Sequence, residues 1–222
     1  MRALIILLAA VAGGGALYLG ASALLGFAPL GGGNIPSSPA PAAGQGTEAA
    51  PPAGANILTL EIAGEAKGIV AIRLLPDVAP RHVARIRELA RTGAYDGVVF
   101  HRVIDGFMAQ TGDVRFGRKQ QLDAGRVGQG GSALPDLPAE FSDIPYERGI
   151  VGMARGPDQD SANSQFFIMF DDARFLDGQY TVVGRVIAGM EIVDAIKRGD
   201  KALNGAVDDP DYMVKVSVRS DE

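Results

Sequence analysis

Short alternating runs, glycine-rich turns and only two stretches of helical periodicity mark residues 56–222 as a mainly β domain. The expected architecture is a closed antiparallel barrel capped by those two helices. Residues 57–62 alternate in the manner of a strand, with Leu58, Leu60 and Ile62 on one face. Residues 69–75 form a second apolar run after a glycine-containing turn, so the two should pair as a hairpin. Pro80 opens the first helix, because the N–H it lacks would have no partner in a first turn. Val83, Ile86 and Ala90 mark that helix's apolar side, and Gly93 ends it. Further strands are expected at 98–104, 166–170 and 181–186. A second helix at 190–198 and a last alternating strand at 213–218 complete the domain.

Two segments precede it. Residues 3–30 carry no charge, behind a lone Arg2. A secretory signal has an apolar stretch of about 7–15 residues, whereas a membrane-spanning helix needs about 20. Length therefore favours an uncleaved apolar helix, an anchor, at 1–30. Gly13, Gly14, Gly15, Gly20 and Gly26 dilute the segment, and Ala21-Ser22-Ala23 offers a small-residue cleavage site. A cleaved signal is thus the alternative, and a buried helix of the globular domain is the third reading. Arg2 and the free amine favour the cytosolic side, which sends everything downstream across the membrane. Residues 31–55 are mostly Gly, Ala and Pro, with Glu48 the only charge. Such a stretch buries too little apolar surface to offset its ordering entropy and reads as a disordered linker.

Composition excludes much chemistry. With no Cys there is no disulfide framework, no thiolate-bound metal and no thiol nucleophile. Two histidines, His82 and His101, are too few for a His-rich metal site. A net charge of −5 argues against a nucleic-acid binder. Asp158, Asp160 and Asn163 lack the central Gly and closing Glu of a calcium loop and read as a polar surface loop. Gly128-Gln129-Gly130-Gly131 lacks the Lys-Ser/Thr of a phosphate loop and reads as a plain turn. Asp208, Asp209 and Asp211 around Pro210 read as a solvated turn, and His82 as a surface residue in the first helical turn. No serine stands in a nucleophile elbow.

Two segments are unusual. In the first, Phe100-His101-Arg102-Val103-Ile104 is followed by Gly106-Phe107-Met108, Gln110 and Gly112-Asp113. The second runs Gly152-Met153-Ala154-Arg155 and then, past a polar loop, Ser164-Gln165-Phe166-Phe167-Ile168. Taken singly, Arg102 would be an outward strand residue, and Phe107, Met108 and Phe167 ordinary core packing. Together with Leu176-Asp177-Gly178-Gln179-Tyr180 and Gly189-Met190-Glu191-Ile192-Val193, however, the ordered blocks resemble the cyclophilin family of peptidyl-prolyl cis–trans isomerases. The similarity extends over essentially all of residues 56–222. The leader and linker resemble those of exported bacterial members, which implies a periplasmic domain. It would be either tethered to the inner membrane or released after cleavage.

The resemblance implies an eight-stranded barrel with a proline pocket on its outer face. It also implies rotation about X-Pro bonds in unfolded or extended polypeptides, assisting the folding of exported proteins. Arg102 falls at the family's catalytic arginine. Phe107, Met108, Phe167 and Leu176 fall at the pocket walls. Gln110, Ala154, Arg155 and Gln165 fall where the family grips the peptide backbone. His101 holds a supporting position, and Gly128 a loop beside the pocket. No cofactor or metal is implied. Phe175 stands where many eukaryotic members have a Trp implicated in cyclosporin binding, so that binding should be weak. Tyr180 replaces a His but keeps a polar-tipped ring. The stretch 114–127 is longer than in short cytosolic forms and carries Arg115, Arg118, Lys119 and Arg126 against Asp123 alone. A non-catalytic proline-peptide binder or holdase on the same fold would keep the pocket without needing Arg102, whose presence favours the enzyme. A membrane-tethered spacer would need no pocket at all.

Overall fold

The computed structural model describes residues 56–219. The expected anchor at 1–30 and linker at 31–55 lie outside the described residues. Among the described residues, no helix is long and apolar enough to cross a membrane.

Eight strands form one sheet: β1 (Ile57–Ala63), β2 (Gly68–Leu74), β3 (Arg102–Ile104), β4 (Met108–Thr111), β5 (Ile150–Met153), β6 (Phe166–Met169), β7 (Val182–Ala188) and β8 (Tyr212–Arg219). Two helices accompany it, α1 (Pro80–Arg91) and α2 (Met190–Ala195). The strand order is β3-β4-β6-β5-β7-β2-β1-β8, and every ladder is antiparallel. The expected hairpin is β1–β2. Its alternation places Leu58, Leu60 and Ile62 in the main core with Val70, Ile72 and Leu74. α1 lays Val83, Ile86, Leu89 and Ala90 on the same core. Truncating Ile86 to Ala would cost about 2–5 kcal/mol.

The sheet is a curled half-barrel rather than a fully laddered closed barrel, because the end strands β3 and β8 share no ladder. The expected strand at 98–104 divides for the same reason. Only Arg102–Ile104 joins a ladder. The residues before it are shared between two neighbours. Val99 N–H donates to Gly117 O at 2.8 Å, and Phe100 N–H donates to Asp211 O at 2.8 Å. Bridges Val99–Tyr212 and Arg102–Ala206 span the gap. The second helix also stops short of Arg198, at Ala195, because Ile196 turns extended (φ −57°, ψ 131°) and enters the core.

Two polar side chains, Asp211 and His82, depart from a surface reading, and a third, Asp113, organises a loop. Asp211 is buried and accepts from Glu65 N–H at 2.6 Å and Lys197 N–H at 2.8 Å. It therefore ties the β1–β2 turn to the chain after α2. Gly64, at φ +134°, leaves room for that carboxylate, which a Cβ there would meet. His82 is fully buried, its Nδ1 lying 2.7 Å from Glu140 Oε2. Glu140 also accepts from the N–H groups of Arg81 and His82. α1 begins after Ala79, which has no capping side chain, so a distant carboxylate satisfies its first-turn donors. Burial alone would raise the Glu140 pKa, but these bonds hold it below the ordinary carboxylate range. Asp113 is buried too. Its Oδ1 accepts from the N–H groups of Arg115 and Phe116, and its Oδ2 from those of Gly128 and Gly130. The glycine-rich stretch at 128–131 is thus one wall of a cradle built on a single carboxylate.

Candidate active site

Successive strand residues point to opposite faces of a sheet, and β3 to β6 use both. Val103, Ala109, Val151 and Ile168 face the main core. The alternate positions Met108, Ile150, Phe167 and Met169 form a second apolar cluster with Tyr146, Ala173, Leu176 and Val182. Phe107, Ala154 and Tyr180, each half-buried, pack against it. The four residues expected as pocket walls therefore converge on one outer-face cluster.

A row of direct partners crosses this face: Arg102 opposite Gln110, Gln110 opposite Phe167, and Phe167 opposite Gly152. Gly152 is required there. A Cβ would lie 2.5 Å from Tyr146 Oη and 2.6 Å from Phe167 Cζ. Its absence lets Phe167 stack on Tyr146 with centroids 5.8 Å apart. Tyr180 meets the Phe167 ring edge-on at 5.8 Å. Phe175, 68% exposed, tilts against Phe107 at 5.6 Å.

Arg102 stands at the edge of this apolar wall. Its Nη1 donates to Gln110 Oε1 at 3.2 Å and lies 3.8 Å from Met108 Sδ. Its Nε donates to Asn204 O and its Nη2 to Asn204 Oδ1, both at 3.1 Å. All these partners are neutral, so the guanidinium keeps its full positive charge at the wall; partial burial lowers its pKa without discharging it. Gln110 Nε2 donates to Gln165 Oε1 at 3.0 Å, and Gln165 Nε2 donates to Gly128 O at 3.0 Å and Gly130 O at 2.7 Å. A continuous polar chain thus joins Arg102 to the Asp113 cradle.

His101 is buried behind this chain, and neither ring nitrogen finds a hydrogen-bond partner among the described residues. Burial pulls its pKa down to about 4, against the opposing pull of Asp113. Gly128 lies against its ring: a Cβ there would come within 3.3 Å of His101 Cδ2. Arg155 is oriented differently from a free backbone clamp. Its donors go to the carbonyls of Gln179, Gly156 and Pro157, and its guanidinium covers the Tyr180 ring at 4.6 Å. It braces Tyr180. Ala154 N–H donates to Gln165 O at 2.9 Å. Among the described residues, no group of three His, Asp or Glu is placed to hold a metal ion.

Comparison with known proteins decides the family. The model described as "Cyclophilin type peptidyl-prolyl cis-trans isomerase/CLD" matches residues 57–218. The chain belongs to the cyclophilin family. It is a peptidyl-prolyl cis–trans isomerase by that membership and by its named relatives. A relative from Brucella suis biovar 1 (strain 1330), named "Probable peptidyl-prolyl cis-trans isomerase", is 58% identical over 178 residues, covering 80% of this chain and 88% of that one. The peptidyl-prolyl cis-trans isomerase of Helicobacter pylori (strain ATCC 700392 / 26695) is 37% identical over 138 residues, covering 60% of this chain and 77% of its own. Among solved structures, the cyclophilin AquaCyp293 from Hirschia baltica superposes with a TM-score of 0.61 at 29% identity, covering 75% of each chain. The Cryptosporidium parvum cyclophilin crystallised in the presence of the dipeptide Ala-Pro shares the fold, with a TM-score of 0.62 at 23% identity, covering 74% of this chain and 99% of that one.

Two residues of this cyclophilin site escaped the sequence reading. Tyr146, under Phe167, sits in a segment without strand or helix periodicity. Asn204 lies 102 positions from the arginine it contacts. The Asn204-Gly205 pair signals a turn, but no local pattern signals its neighbour.

Proposed function

We propose that Arg102 is the catalytic donor and that Phe107, Met108, Phe167 and Leu176 hold the substrate proline ring. The observation that carries this reading is the charged Arg102 fork, held by neutral partners at the edge of the outer-face apolar cluster. Rotation about a peptide bond meets a barrier of about 18–20 kcal/mol, because it breaks the amide conjugation. At the twisted midpoint the proline nitrogen carries a localised lone pair that accepts a hydrogen bond, whereas the planar amide nitrogen accepts poorly. A donor aimed there binds the transition state better than the ground state, which is the interaction that raises turnover. A charged hydrogen bond contributes about 1.5–3 kcal/mol, or roughly one to two decades of rate. A preorganised, water-poor wall strengthens that bond and fixes the ring while the preceding carbonyl turns. In this reading Gln110, Gln165 and Ala154 grip the peptide on either side of the proline. No bond is made or broken, so the chain's own residues suffice.

The test measures turnover on an X-Pro peptide separately from peptide affinity. Arg102→Lys keeps the charge but loses the planar fork. It should lose about tenfold or more in turnover with affinity largely kept, and Arg102→Ala more. Near-normal turnover in a folded Arg102→Ala variant would end the assignment.

The substrates in this reading are exported polypeptides, met on the periplasmic side of the inner membrane. Support comes from the uncharged stretch at 3–30 behind Arg2 and from the linker composition of 31–55. A reporter active only in the cytosol, fused after Glu222, should stay silent. Strong reporter signal would exclude the periplasmic location.

A further inference from the structure

The geometry points to Asn204 as the positioning residue for Arg102, and we propose that turnover depends on its side-chain carbonyl. The inference rests on the reading of Arg102 as the catalytic donor. An arginine side chain reaches its target through several rotatable bonds, so its usefulness depends on how firmly the fork is aimed. Gln110 touches the fork at Nη1 alone. One contact would leave the plane free to swing about that point. Asn204 holds the opposite edge, taking Nε on its backbone oxygen and Nη2 on Oδ1. With both neighbours engaged, the guanidinium plane is fixed and the remaining N–H groups point where the fold directs them.

Asn204 is itself anchored to the strand that carries Arg102. It follows a 3-10 turn at Lys201–Leu203, which Asp200 starts by accepting from Ala202 N–H at 2.7 Å. Gly205 N–H returns to Asp200 O at 2.8 Å. Gly205 O accepts Val103 N–H at 2.8 Å, and Val103 O accepts Gly199 N–H at 2.9 Å. Both ends of the turn are thereby sewn to the residue after Arg102. Asn204 adopts the left-handed conformation (φ 55°, ψ 35°), which asparagine tolerates better than most residues. Its side chain is exposed and lies outside both apolar clusters. Its side-chain hydrogen bond among the described residues is the one from Arg102 Nη2.

Asn204→Gly removes Oδ1 while suiting the left-handed backbone. In the full-length protein, Asn204→Gly should lower turnover about fivefold, the scale of one charged hydrogen bond partly made up by the retained backbone contact, with peptide affinity unchanged. In an Arg102→Lys background, Asn204→Gly should cost nothing further, since an ammonium has no edge to be held. Unchanged turnover in Asn204→Gly, or an undiminished loss in the lysine background, would overturn the proposal. Retained turnover in Arg102→Ala would instead overturn the catalytic reading on which it stands, so the two failures are distinguishable.

Discussion

Arg102 and Gln110 are direct partners across the β3–β4 ladder, and the Arg102 Nη1 donates to Gln110 Oε1 at 3.2 Å. The tight turn between the strands, with Gly106 at φ +68°, sets that register. Opposite residues in a ladder share a face, so the motif's spacing alone brings arginine and glutamine together. Gln110 then passes the contact on to Gln165. An amide suits this place because it accepts at one end and donates at the other.

Gln110→Ala should therefore cost more than a single peptide contact. It frees Nη1 and breaks the link to Gln165 in one step. A loss of about fivefold to tenfold in turnover is expected, from one charged and one neutral hydrogen bond. Separate measurement of turnover and affinity checks it; a change confined to affinity would reduce Gln110 to a substrate contact.

We propose that Phe175 makes cyclosporin binding weak. Its ring is exposed and leans on Phe107, but it has no N–H to offer. Phe175→Trp should tighten inhibition by about tenfold, the worth of one good hydrogen bond, with turnover little changed. Inhibition titrations of the two forms decide the matter, and identical curves would refute it.

Much of this site was legible because its chemistry is written in contiguous text. Arg102, Phe107, Met108 and Gln110 lie within one hairpin, and Gln165 and Phe167 at the start of one strand. The β1–β2 hairpin and α1 were legible for the same reason, since alternation and a proline start are local signals. What failed depended on distant partners. β5 is buried at all four positions, so it shows no alternation. Residues 98–100 look like one strand with 102–104, yet their bonds go to Gly117 and Asp211. His82 and Asp211 have polar side chains that local reasoning sends outward. Glu140 receives the first, and the N–H groups of Glu65 and Lys197 meet the second, from far along the chain. Asn204 reaches Arg102 by the same kind of long-range closure.

Stability should fall with pH in a defined window. His101 has its pKa lowered from 6.5 to about 4 by burial, and His82 is shifted in the same direction by its own burial. As pH drops through 6.5 toward 4, the unfolded chain gains protons that the folded chain refuses. The folded state therefore loses stability across that range and is unaffected by these groups above it. For His101 the full effect is about 3 kcal/mol. Glu140, with its pKa lowered, acts in the same sense at the acid end. Denaturant midpoints at pH 7 and pH 4.5 should differ clearly in the parent and less in His101→Gln. Equal pH slopes in the two proteins would show that His101 titrates normally.

The cations of the 114–127 stretch suggest a preference for acidic substrates, but most are already engaged. Arg118 donates to the carbonyls of Asp96 and Ala94, and Lys119 pairs with Asp209 and donates to Pro210 O. Arg126 pairs with Asp123 at 2.6 Å. Arg115 is the member whose guanidinium has neither a carboxylate nor a carbonyl partner among the described residues. It is exposed, with its guanidinium over the Phe116 ring at 4.9 Å. It also borders the site, since a Cβ on Gly130 would lie 2.9 Å from Arg115 Cβ, and Gly130 O is held by Gln165. Any charge preference should therefore reside chiefly in Arg115. An exposed ion pair contributes under about 1 kcal/mol, so the preference for a glutamate-flanked over a lysine-flanked X-Pro peptide should be about fivefold at most. Arg115→Gln should remove most of it, and high salt should remove it from the parent as well. Arg118→Gln, by contrast, should lower the melting temperature while leaving the ratio intact. A ratio that survives Arg115→Gln would place the preference elsewhere, and a ratio insensitive to salt would show that charge does not set it.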